Sequence, residues 1–255
     1  MIGRFGTAAQ LGIYNRAFML ASLPTYQVHH GIAKVLFPVL SSGRSDRAAF
    51  AQTLEAASRN AIRLVVPLGI GMALTAPELV SVVLGEGWLE AIPVFAILAP
   101  ALAFNLLSTF PGQALDALGR LRWKALVQAG YVVLLGSALI ITAVNVVDLR
   151  AITVVIAIAI GSRTVAMYAL MFQTDAVPRS FLANSLRAAT LSTGVACAAF
   201  APVIALLRSQ DTSSLLTLTV AIATGGLVLI ALFSRAIVRL WSARSRNRQH
   251  KAQHE

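Results

Sequence analysis

The chain is 255 residues long, 57% apolar and only 12% charged, with a mean hydropathy of +0.76. This excludes disorder, which needs low hydrophobicity, and most soluble folds, whose charged share is about twice as large; a lone cysteine, Cys197, excludes an intrachain disulfide scaffold. The formal charge of +11 suits either nucleic acid or the cytoplasmic rim of a membrane protein, and the placement of the charges decides between them.

A bilayer-spanning helix takes about 20 mostly apolar residues. Continuous apolar runs fill this chain, and the alternating ten-residue segments of a β-barrel do not. Seven runs follow in order: Leu11–Leu40, Ala61–Leu84, Trp88–Phe110, Ala125–Val147, Leu149–Phe172, Leu186–Leu207 and Leu215–Trp241. They predict an all-α, polytopic integral membrane bundle of about seven transmembrane helices over residues 1–241, followed by a basic tail at 242–255. The first run is the least apolar and is long for one span, so a tilt or a bend at Pro24 is expected. Only Asp148 separates the fourth run from the fifth, which requires a tight turn near Asn145–Asp148.

Lys and Arg mark cytoplasmic loops. They gather between runs one and two (Arg44, Arg47, Arg59, Arg63), before run four (Arg120, Arg122, Lys124), between runs five and six (Arg179, Arg187) and in the C-terminal tail. The intervening gaps hold only Arg150 and Arg208. This alternation predicts an extracytoplasmic start, a cytoplasmic C-terminus and a basic chain with no nucleic-acid partner. Trp88, Trp123 and Trp241 fall at run ends, where indoles favour the headgroup level. Residues 1–10 lack the pattern of a signal peptide, and a first span entering from outside points to further sequence upstream.

An ionisable side chain at the centre of a span costs at least about 2.5–3.5 kcal/mol on insertion scales. Arg163, near the midpoint of run five, is the clearest case. It is a candidate for a substrate pathway or for an ion pair that fixes packing. Arg16 and Lys34, near opposite ends of run one, either join that pathway or reach to headgroups. His29 and His30 between them are read as polar contacts to a neighbouring helix. In run three, Asn105, Thr109, Gln113 and Asp116 are spaced to share a helical face, with Ser108 and Gly112 beside them. Such a stripe wants a watery cavity or polar partner helices, and a cavity is expected. Ala157/Gly161 and Gly194/Ala198 are small pairs that permit close helix approach. Prolines inside several runs fit broken helices. Walker A, HExxH, CxxC and GxSxG motifs are absent from the sequence, and no catalytic residue, metal ligand or cofactor is assigned.

LGIYNRAFMLASLP (Leu11–Pro24), KVLFPVLSS (Lys34–Ser42), APELVSVVLGEGWLEAIPVFAILAP (Ala76–Pro100) and ALDALGR (Ala114–Arg120) together resemble the middle of Wzx-type polysaccharide flippases, of the multidrug/oligosaccharidyl-lipid/polysaccharide exporter superfamily. The resemblance covers about the first 120 residues. It implies a fold similar to the second half of a fourteen-helix flippase in the bacterial cytoplasmic (inner) membrane. It also implies translocation of a polyprenyl pyrophosphate-linked oligosaccharide for polysaccharide or lipopolysaccharide synthesis, by a non-enzymatic transporter. Arg16, Lys34 and Arg163 would then offset the pyrophosphate charge, and the polar groups of run three would meet sugar hydroxyls. The other half of the cavity would come from a missing N-terminal half or a second copy. The competing readings are a non-transporting subunit of a polysaccharide assembly complex and a multidrug exporter of the same superfamily. The exporter reading would favour acidic cavity residues.

Overall fold

A computed structural model describes residues 7–43, 46–145, 148–174, 180–210 and 212–232, all of them helices and short turns. Helix α1 spans Ala8–Ser42 and starts at a capping box, in which Thr7 accepts from the Gln10 backbone and the Gln10 side chain accepts from the Thr7 N–H. It runs unbroken through Pro24 and Pro38. Helix α2, Arg47–Leu74, is capped by Asp46, whose carboxylate accepts from the Ala48 and Ala49 N–H groups. Helix α3, Ala76–Val83, follows after a 73° bend at Thr75. The expected straight span over Ala61–Leu84 is therefore broken, and Pro77 in the first turn of α3 favours a new start there.

Gly85, at φ +90°, turns the chain into a 3-10 turn at Glu86–Ala91. Helix α4 covers Ile92–Leu106 and α5 Thr109–Ala117. The chain continues through α6 (Leu121–Asn145), α7 (Leu149–Phe172), α8 (Ser180–Ser209) and α9 (Ser214–Leu232). Asp148 caps α7 at the position where the tight turn is expected, and residues 146–147 lie outside the described residues. Arg44, Arg179, Trp241 and the basic tail lie outside them as well.

Among the described residues, five segments are long and apolar enough to cross a bilayer, and the bent α2–α3 pair makes a sixth if it counts as one span. Helix α1, with 35 residues, has the length but not the apolarity, because Arg16, His29, His30 and Lys34 interrupt it. The chain is a multi-pass membrane helical bundle. Its outer faces are apolar: Val133 of α6 is 70% exposed and Leu191 of α8 68% exposed, surfaces that suit lipid contact.

Helix α2 packs against α8 and α4, α4 also packs against α1 and α7, and α6 pairs with α7. Three apolar clusters result among the described residues, the smallest around Ala196, Phe200 and Ile204 of α8. Leu40, Leu54, Phe110, Met171 and Phe181 fill one. Ala21, Val80, Phe95, Leu98 and Ile160 fill a second. The α2–α4 contact depends on Gly69, where an added Cβ would lie 2.9 Å from Ala103 Cβ and 3.2 Å from Pro100 Cα. Gly69→Ala is expected to force these helices apart at a cost of about 1–3 kcal/mol, read as a lower thermal midpoint in detergent; an unchanged midpoint would mean the helices close without that contact.

Candidate functional site

The α4–α5 junction is built by a proline. Pro111 has no N–H to give to the Leu107 carbonyl four residues earlier. Around it the helix tightens to i→i−3 bonds, Leu107 N–H to Phe104 O (3.0 Å) and Ser108 N–H to Asn105 O (3.0 Å). The Tyr168 hydroxyl of α7 donates to the Leu107 carbonyl at 3.2 Å. This bond ties the break to the next helix. Tyr168→Phe is expected to cost about 0.5–1.5 kcal/mol, and chemical unfolding of the purified protein measures it; no loss would mean another donor takes over the carbonyl.

Arg163 reaches this junction from α7. Its Nη2 donates to Asn105 Oδ1 and to Ser108 Oγ (3.0 Å), and its Nη1 donates to Gln128 Oε1 on α6 (3.0 Å). The guanidinium carbon lies 5.3 Å from the Tyr131 ring centroid, a cation–π arrangement. The buried Nε makes no hydrogen bond among the described residues. All these partners are neutral, and the three ion pairs among the described residues lie elsewhere. The site is thus a positioned cation at span depth with no carboxylate to balance it among the described residues.

The expected polar stripe is divided among three neighbours. Asn105 faces Arg163, while Thr109 Oγ1 shares a 2.8 Å hydrogen bond with His29 Nδ1 on α1. Asp116 accepts a 2.6 Å ion pair from Lys124 at the start of α6. Gln113 is half-buried and makes no hydrogen bond among the described residues. Polar partner helices take up most of the stripe, because the junction at Leu107–Ser108 turns its members toward different helices. His29 does make the expected contact to a neighbouring helix, and the His30 ring lies beside it at 5.9 Å.

Arg16 and Lys34 do not join the Arg163 cluster. The Arg16 guanidinium packs over Trp88, 5.4 Å from the ring centroid, about 20 Å along α1 from His29 at 1.5 Å per residue. Lys34 is exposed on α1. The site also contains Gln128 and Tyr131, which the sequence reading does not select. Their signal is present: Gln128 is an amide well inside run four, and Tyr131 follows three residues later on the same face. Among the described residues, no three His, Cys, Asp or Glu side chains converge as a metal site.

Residues 1–93 match a family described as "Polysaccharide biosynthesis protein". Over that stretch the chain is similar to polysaccharide biosynthesis proteins. A stretch of 139 residues, 54% of the chain, is 27% identical to the teichuronic acid biosynthesis protein TuaB of Bacillus subtilis (strain 168). That alignment covers 29% of TuaB, so the chain matches under a third of the length of this curated relative. The family match includes α1, α2, α3 and the start of α4, whereas Asn105, Gln128 and Arg163 lie beyond it. The family match therefore rests on residues other than those of the cation site.

Proposed function

We propose that this chain forms part of a membrane transporter that translocates a lipid-linked oligosaccharide across the cytoplasmic membrane for polysaccharide synthesis. The observation that carries the proposal is Arg163, held at span depth by Asn105, Ser108, Gln128 and Tyr131 with no carboxylate partner among the described residues. A pyrophosphate linkage is an anion that must pass a low-dielectric region, where an opposing fixed charge acts strongly. The similarity to polysaccharide biosynthesis proteins points to the cargo class.

In this reading Arg163 supplies the counter-charge, and Asn105 and Gln128 hold the guanidinium plane. Gln113 is open to sugar hydroxyls, and Thr109 reaches them when its bond to His29 is exchanged. Asp116 positions Lys124 at the entry to α6, while Arg16 and Lys34 act at the two ends of the path. The remainder of the cavity wall comes from an N-terminal half or a second copy.

Deleting the gene in its host tests the proposal. The expected result is lipid-linked oligosaccharide accumulating on the cytoplasmic face, with less polymer outside. Unchanged polymer and no accumulation would contradict it. Retention of flipping together with loss of the polymer-synthesising enzymes from the membrane would instead favour a non-transporting assembly subunit.

A further inference from the structure

A polar pocket lies at the start of α7, where four segments meet: the start of α1, the 3-10 turn, the start of α4 and the start of α7. Its volume is about 500 Å³, within the range of small-molecule sites. Glu90, Asp148, Arg150 and Gln10 supply its polar groups, and Leu89 and Leu149 are among its apolar lining residues. Glu90, Asp148 and Arg150 take no part in the ion pairs among the described residues. One carboxylate oxygen of Asp148 accepts from the Arg150 N–H at 3.1 Å, which leaves the other open. The Gln10 carbonyl oxygen accepts from the Thr7 N–H, which leaves its NH₂ open. The pocket thus offers two carboxylates as acceptors, a guanidinium and an amide as donors, and apolar walls. It sits where the Glu86–Ala117 and Leu149–Phe172 spans begin.

We infer that this pocket binds the headgroup of a zwitterionic aminophospholipid. A primary ammonium has three N–H donors for Glu90 and Asp148, and the phosphate meets Arg150 and Gln10. The glycerol and acyl chains lie along Leu89 and Leu149 and the apolar helix faces below. A choline headgroup of the same net charge has no N–H to donate, so the two lipids are discriminated by hydrogen bonding. This inference uses no step of transport and stands or falls independently of the proposed cargo.

The test is native mass spectrometry of the full chain released from nanodiscs holding equal amounts of POPE, POPC and POPG. Retained lipid is expected to favour POPE over POPC by about tenfold, the factor that one or two charge-assisted hydrogen bonds supply. The Glu90→Gln/Asp148→Asn double variant is expected to abolish that preference. Asparagine still caps a helix, so α7 is preserved, and Arg150→Gln provides a second variant that is expected to weaken POPE retention. Equal retention of POPE and POPC by the wild type, a preference for POPG over both, or a POPE preference that survives the double variant would each overturn the assignment.

Discussion

Arg163→Gln is expected to lower translocation of a polyprenyl pyrophosphate-linked sugar by about 10- to 100-fold, the loss of one charge-assisted interaction in a desolvated site. Glutamine keeps some hydrogen bonding to Asn105 and Ser108 but removes the charge that faces the anion. It also spares the cost of holding an ionised group at depth, so stability is expected to stay level or to rise. A fall in transport without a fall in stability separates a pathway role from a packing role. Arg163→Lys sharpens the test. Lysine keeps the charge but lacks the planar fork that bonds Asn105, Ser108 and Gln128 together, so intermediate transport is expected. Initial rates of flipping at matched protein density measure all three, and equal rates for wild type and Arg163→Gln would remove Arg163 from the path.

The second large effect is on stability. Glu78 of α3 is buried, and both of its carboxylate oxygens accept from Arg208 of α8, at 2.7 and 2.9 Å. Arg208 Nη2 also donates to the Leu74 carbonyl at 2.9 Å. The break at Thr75 leaves that carbonyl without its helical N–H partner, so one guanidinium both neutralises Glu78 and caps the end of α2. Glu78→Ala is expected to cost about 2 kcal/mol, below the usual range for breaking a buried pair because the Arg208 side chain is 46% exposed. At this chain length that corresponds to a thermal midpoint lower by roughly 5 °C. The double variant Glu78→Leu/Arg208→Met leaves no unpaired charge and is expected to recover most of the loss. A double variant as unstable as Glu78→Ala would mean that the carbonyl cap, rather than the ion pair, dominates.

Much of the fold was legible because lipid imposes a simple rule on helices. Run five coincides with α7 at Leu149–Phe172, and Asp148 caps it as the short gap demanded. The rule fails where polar chemistry enters. Helix α1 extends three residues beyond the apolar run at its start and two at its end, because the Thr7–Gln10 capping box sets its first turn. Run two breaks at Thr75 because the Glu78–Arg208 pair rewards the bend, and those partners lie in different runs. In the site, Arg163 was visible as a charge out of place, but its partners depend on how α4, α6 and α7 face one another. Periodicity put Asn105, Thr109, Gln113 and Asp116 on one face, and with the helix tightened ahead of Pro111, Asn105, Thr109 and Asp116 meet different neighbours.

The most direct measurement is translocation in proteoliposomes that contain the purified chain, using a fluorescent polyprenyl pyrophosphate-linked sugar and a membrane-impermeant quencher. If the chain supplies a working pathway, alone as copies or with a supplied N-terminal half, lipid enters the quenchable leaflet faster than in protein-free liposomes, and Arg163→Gln slows it. Rates equal to those of protein-free liposomes in both arrangements would contradict the account.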